Sequence, residues 1–193
     1  AFANAMLQHH AALHDRFAGI HVTVPRTAVI ATDVFDQFLT DNELLDLAYG
    51  TSTDEEIAHR FTTAKLPVHV TSDLESFLRR IDYPLAVRSS SLLEDSSSQP
   101  FAGIYRTYMV PNSHPDPHVR LAQLSRAIKL VYASTFSRAA KAYAESTGSR
   151  IEDEKMAVIL QQVIGSRHAD RFYPHLSGVA RSFNYYPIAP MRG

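Results

Sequence analysis

Cysteine is absent from this sequence, which excludes a disulfide framework, a thiolate zinc site and a cysteine nucleophile. The absence is compatible with a reducing cytoplasm, the expected location. A dominant charge is lacking as well: 19 Lys and Arg stand against 20 Asp and Glu, a formal net charge of −1. The chain therefore offers no global basic field to nucleic acid. No apolar run approaches the roughly 20 residues of a membrane-spanning helix, and no signal-peptide pattern opens the chain. Neither nucleic acid nor membrane is expected as a partner.

What is present is enough for a sizeable core. At 193 residues the chain fits one domain or two tightly joined lobes. The sequence already reads as helix at Ala1, and it stops at Gly193 without a capping signal, so a piece of a longer protein is expected. Ala1 to Phe17 has Phe2, Met6, Leu13 and Phe17 near one helical face, with Gly19 placed to end it. His10 and His14 stand four apart on that helix, but an exposed face explains them better than a metal.

The most informative stretch is Tyr83 to Val110, YPLAVRSSSLLEDSSSQPFAGIYRTYMV. An apolar run, Pro84 to Val87, reads as a buried strand that ends on Arg88. A hydroxyl-rich loop follows, with Glu94-Asp95 and Gln99-Pro100, and a second strand rises from Ile104 to Val110. Arginine presents a rigid fork of donors that matches phosphate oxygens. Serine hydroxyls and the backbone N–H groups of a small-residue loop can wrap further oxygens, and Gly103 permits close backbone approach. The competing reading is a solvated hairpin in which Arg88 pairs with Asp95. Ser91 to Pro100 is the segment expected to move most.

Elsewhere the periodicity marks scaffold. Ile20 to Ile30 is β-rich and broken by Pro25, which suits either two short strands or one bent edge strand. Helices are predicted at Asp33 to Leu39 and Glu43 to Tyr49. Thr53-Asp54-Glu55-Glu56 is a capping box opening a helix through Phe61. Ser72-Asp73-Leu74-Glu75 has the same form and is followed by a stripe of Leu74, Phe77, Leu78 and Ile81. Asp116-Pro117 starts a long helix to about Ser146, with a kink near Ser134. Its stripe is Leu121, Leu124, Ile128, Val131, Phe136, Ala139 and Tyr143. Met156 to Ile164 reads as a buried strand, interrupted by Gln161 and Gln162, whose amides need partners. A mobile loop is expected over Gly165 to His175 and a returning strand over Ser177 to Tyr186.

Val87-Arg88-Ser89-Ser90, Glu94-Asp95, Phe101-Ala102-Gly103 and Thr107, in that order, resemble the nucleotide-binding domain of the pyruvate phosphate dikinase and phosphoenolpyruvate synthase family. Ser134-Thr135-Phe136-Ser137-Arg138-Ala139 approximates the family's S-x-F-x-x-R-A. Met156 to Ile164 is similar to its V-x-V-Q-x-M-V strand, and Ser177-Gly178-Val179 to its Ser-Gly-Val. The resemblance implies an α+β, ATP-grasp-like fold with a mixed or antiparallel sheet and helices mainly on one side. It implies that residues 1–193 are part of an ATP-binding domain: an N-terminal helical and β part (1–82), a phosphate-loop hairpin (83–110), and a long helix with an adenine-side hairpin (111–193).

The implied chemistry is phosphoryl transfer from ATP with Mg2+ to pyruvate or another acceptor by way of a histidine on a further domain. The implied ATP-binding residues are Arg88, also the catalytic candidate, with Ser89, Ser90, Gly103 and Thr107 at the phosphates, and Gln161 with the backbone of Val163 beside the base. Arg138 is placed either to reach the phosphates or to hold an ordinary salt bridge. The glycine-rich lysine segment and the metal-binding carboxylates are implied to lie outside this chain, so the piece alone is expected to be inactive. None of the ten histidines has a Thr-x-Gly-Gly-like setting. Departures at Arg26, Pro100, Ala144 and Arg181 leave a non-catalytic regulatory or interaction module as the alternative. A homo-oligomer is also possible.

Overall fold

A computed structural model describes residues 2–9, 19, 22–91, 93–94, 103–180 and 182, without the side chains of 2–4 and 8. The architecture is α+β. Strands β1 (Thr27–Ile30), β2 (Leu85–Ser91), β3 (Tyr108–Val110) and β4 (Met156–Gln162) form one antiparallel sheet in the order β1-β4-β2-β3. Around it run α1 (Phe2–His9), α2 (Thr32–Asp41), α3 (Leu45–Tyr49), α4 (Asp54–Thr63), α5 (Val68–Leu78), α6 (Pro117–Ser134) and α7 (Arg138–Thr147). These elements belong to a unit spanning Ala1–Val163. Residues 164–193 form a second unit, whose hairpin joins β5 (Ser166–His168) to β6 (Arg171–Tyr173).

Period-two alternation decides which face of the sheet is covered. Along β4, Met156, Val158 and Leu160 are buried, while Ala157, Ile159 and Gln161 are only partly covered. The covered face packs on α6, which touches β2, β3 and β4, and on α2, which touches β4. The core beneath is strongly aromatic. Phe35 lies 5.0 Å from Tyr132 and 5.9 Å from Phe136, ring centre to ring centre, and Phe61 lies 5.7 Å from Phe38 and 5.8 Å from Phe136. The Tyr132 hydroxyl is enclosed without a hydrogen-bond partner among the described residues, and burial pushes its pKa above the usual phenol range. Tyr132→Phe removes only that orphaned group, so melting should show unchanged or slightly raised stability.

Three cations on α6 and α7 tie α3, α4 and α5 down at their C-terminal ends, where carbonyls lack intrahelical partners. Arg120 Nη2 donates to Leu78 O and Ile81 O, each at 2.6 Å, below the end of α5. Lys129 Nζ reaches Thr62 O at 2.7 Å and Ala64 O at 3.0 Å beyond α4. Lys141 Nζ reaches Gly50 O at 2.6 Å after α3. Burial pulls both lysine pKa values down. Arg120 Nε also donates to Asn112 Oδ1 at 2.7 Å, and Asn112 Nδ2 donates to Tyr83 O at 3.0 Å, so one arginine joins α5 to both strands of the central hairpin.

Several expectations hold and several change. The Thr53 capping box forms, with Glu56 N donating to Thr53 Oγ1 at 3.2 Å and Thr53 N to Glu56 Oε2 at 2.9 Å. Asp116 caps α6 through the His118 N–H at 2.8 Å, and β1 is an edge strand just after Pro25. Ser72 caps nothing: it lies inside α5, which starts behind Pro67. Proline there already fixes the helical entry, so the later cap motif is an interior turn. The long helix is two helices. Thr135 and Phe136 turn out of α6, and Ser137 caps α7 through the Ala140 N–H at 3.2 Å. That restart shifts the phase, so Ala140 and Ala144 are buried while Ala139 is exposed.

Residues 166–173 are a hairpin rather than a loop, with the His168 ring stacked on Tyr173 at 4.1 Å. Glycine is required at 165, since a Cβ there would meet the Tyr173 backbone carbon at 2.5 Å. Ser177 to Ala180 has no strand, and the rest of that predicted strand lies outside the described residues apart from Ser182. Also outside them are most of the predicted mobile segment, residues 92 and 95–100, and the helical expectation over 10–17.

Candidate functional site

The central correction concerns Arg88. Sequence placed it where a strand ends; the structure places it inside β2, whose pairing with β4 runs unbroken from Leu85↔Gln162 to Ser91↔Met156. Ser89 to Ser91 therefore continue the strand instead of opening the loop. Strand β4 imposes this, because a seven-residue partner satisfies the serine backbones however weak their own β preference. β3 is correspondingly short and pairs only with Leu85 to Val87.

Because β2 continues, its alternation sends Arg88 and Ser90 away from the helices. Their face of the sheet also carries Thr27 and Val29 of β1, Ala157, Ile159 and Gln161 of β4, Ala86 of β2 and Met109 of β3. Val29 is 62% exposed and Met109 68%, while Ala86 is buried, so this face is open at its edges and partly exposed along β4. Arg88 stands in its middle. Its Nη1 donates to Gln161 Oε1 at 3.1 Å, diagonally across the β2–β4 ladder. Gln161 thus sits on a central strand and its amide has a protein partner. Arg88 makes no ion pair among the described residues, and Asp95, its rival partner, lies outside them.

The other candidates divide. Ser90 shares the open face and is half-buried. Extending the β2–β3 register one residue beyond Val87↔Tyr108 sets exposed Thr107 opposite Arg88. Ser89 points the other way and donates to Glu94 Oε1 at 2.9 Å. Gly103 has φ 85° with no atom within 4 Å of a would-be Cβ, so its left-handed backbone, not crowding, asks for glycine here. The Val163 N–H is engaged, donating to Pro84 O at 2.9 Å. Arg138 opens α7, where its backbone N–H donates to Asp54 Oδ1 at 2.8 Å; its side chain makes no ion pair among the described residues.

Sequence reasoning missed the buried polar cluster that fastens both ends of the loop. Glu94 N donates to Ser91 Oγ at 3.5 Å. Tyr105 donates from its hydroxyl to Glu154 Oε1 at 3.0 Å, and both residues are buried. Ser91 lies beside the same hydroxyl and favours its ionised form. Burial first, then the Glu154 carboxylate, hold the Tyr105 phenol protonated far above its ordinary range. A buried hydrogen bond to a carboxylate is worth about 1.5–3 kcal/mol, enough to hold residue 105 beside the start of β4. A lone Tyr and a lone Glu 49 residues apart carry no local signal; only the fold brings them together.

Known proteins bear on these residues. The family model for the pyruvate phosphate dikinase AMP/ATP-binding domain matches residues 8–192. The chain belongs to that family. A Bacillus subtilis (strain 168) protein named uncharacterized phosphotransferase YvkC is 27% identical over 146 residues, which are 74% of this chain and 16% of that protein. The chain thus spans a small part of that relative's length. The chain is accordingly an ATP-binding domain of phosphotransferase type. Among the described residues no three His, Asp or Glu side chains converge as a metal cage.

Proposed function

We propose that this chain is the ATP-binding portion of a phosphoenolpyruvate synthase- or pyruvate phosphate dikinase-like phosphotransferase, with an ATP-grasp-like fold. The observation that carries the reading is Arg88, fixed by Gln161 on the sheet face turned away from the packed helices α2 and α6, with Thr107 and Ser90 alongside. Phosphoryl transfer asks a protein mainly for positioning and charge neutralisation. Arg88 supplies a two-pronged cation, Thr107 and Ser90 supply hydroxyls, and Gly103 sets the turn that leads into β3. Ser89 serves this site indirectly, by holding Glu94 at the loop's root. The partly apolar surface of Val29, Ile159 and Met109 excludes water from one side of a bound nucleotide. Mg2+, when bound with ATP, would neutralise further phosphate charge. The acceptor, pyruvate or another, would be met by other parts of the full-length protein.

The 193-residue chain alone should produce no AMP from ATP, whereas the full-length protein with Mg2+ and its acceptor should. Following AMP by chromatography in both preparations checks this; robust AMP formation by the purified chain would overturn the division of labour. One observation favours the second reading, a non-catalytic regulatory or interaction module. Ala144, where the resemblance calls for an arginine, is buried in α7. Under that reading the full-length protein would bind ATP and yield no AMP.

A further inference from the structure

We infer that Gln161 is a positioning residue for Arg88, and that the two side chains together read the polyphosphate rather than the base. The inference rests on the ATP-binding reading above and deepens it. The resemblance set Gln161 beside the adenine; the geometry points it at the cation.

Arginine has donors only, so the amide atom 3.1 Å from Arg88 Nη1 is the Gln161 oxygen. Both Nε2 hydrogens of Gln161 are then left to donate, together with the remaining N–H groups of Arg88. The pair offers a ligand on the open face several donors, and as acceptor only the second lone pair of the Gln161 oxygen that already serves Arg88. Phosphate oxygens are acceptors only and match such a surface. The pairing edge of adenine presents a donor beside an acceptor, which a pair so rich in donors matches less well than it matches phosphate.

The bond also restrains a side chain that otherwise has much rotamer freedom to lose when it clamps an anion. Register makes the contact possible. Arg88 faces Ile159 and Ala86 faces Gln161, so Arg88 and Gln161 are diagonal neighbours on one face of adjacent strands. Ile159 is too short and apolar to supply an acceptor at the directly opposite position.

The test is made in the full-length protein, titrating ATP, GTP and tripolyphosphate into wild type, Gln161→Ala, Gln161→Asn, Gln161→Glu, Arg88→Ala and the Arg88→Ala/Gln161→Ala double variant. Gln161→Ala should weaken all three ligands by one common factor of about tenfold, the scale of a charge-assisted hydrogen bond. Gln161→Glu keeps an acceptor for Arg88 but neutralises the cation and removes both donors, so it should weaken binding more than alanine does. Its melting temperature should be at least that of wild type. In the Arg88→Ala background, Gln161→Ala should have little further effect.

A changed ATP-to-GTP preference with tripolyphosphate binding intact would make Gln161 a base reader and overturn the inference. So would additive losses in the double variant, or lowered melting in Gln161→Ala and Gln161→Asn with affinity per folded molecule unchanged. If wild type binds none of the three ligands, the ATP-binding reading fails, and the inference with it.

Discussion

Arg88→Ala in the full-length protein should lower kcat/KM for ATP turnover by about 2–4 kcal/mol of transition-state stabilisation, the scale of losing one preorganised donor to developing charge. The fold should survive, because the Arg88 side chain is exposed and its described contact is a single bond to Gln161 on an uncovered sheet face. Arg88→Lys should recover only part of the loss, since one ammonium cannot reproduce a two-pronged guanidinium. The competing role, a structural partner for Asp95, reverses the ordering: Arg88→Ala and Asp95→Ala would both lower the melting temperature. Melting and turnover measured on the three variants separate the cases. Reduced stability in both alanine variants, with activity per folded molecule unchanged, would end the phosphate-clamp role.

Phe136→Ala should cost about 3–5 kcal/mol of stability, the range for truncating a fully buried aromatic. Phe136 is 1% exposed and stands among Phe35, Tyr49 and Phe61, with ring centres at 5.9, 5.6 and 5.8 Å. It also occupies the break between α6 and α7, so its loss loosens the joint as well as the core. For a chain of this size the melting temperature should fall by about 10 °C. Phe136→Leu, which keeps most of the apolar volume, should recover much of that. A Phe136→Ala variant that melts like wild type would show that the aromatic cluster does not organise the helical layer.

Much of the scaffold was legible because its signals are local. Thr53 with Glu56, and Asp116 with Pro117, each satisfy orphan helix N–H groups within one turn, so the motif and the structure coincide. The same motif misled at Ser72, where Pro67 had already set the helix going. Ser89 to Ser91 show the opposite failure. Nothing in three serines predicts a strand; the pairing with β4, some seventy residues away, puts them in one. The site followed the same division. The arginine, the glutamine and the threonine stood out by type, but their meeting on one sheet face depends on register, which a single-residue slip would invert. The Gln161 partner and the Tyr105–Glu154 bond are non-local for the same reason.

The open face around Arg88 is the claim on which the rest depends, and titration of ATP followed by NMR tests it directly. The account predicts that the Arg88 Nε signal, the Gln161 side-chain amide and the methyl groups of Val29 and Ile159 shift together and saturate in one binding curve. Signals from the opposite, helical side should stay in place, including those of His118 and Arg79, which line a cavity between α5 and α6. Shifts concentrated at that helical cavity, with the Arg88, Gln161 and Val29 signals unmoved at saturating ATP, would contradict it.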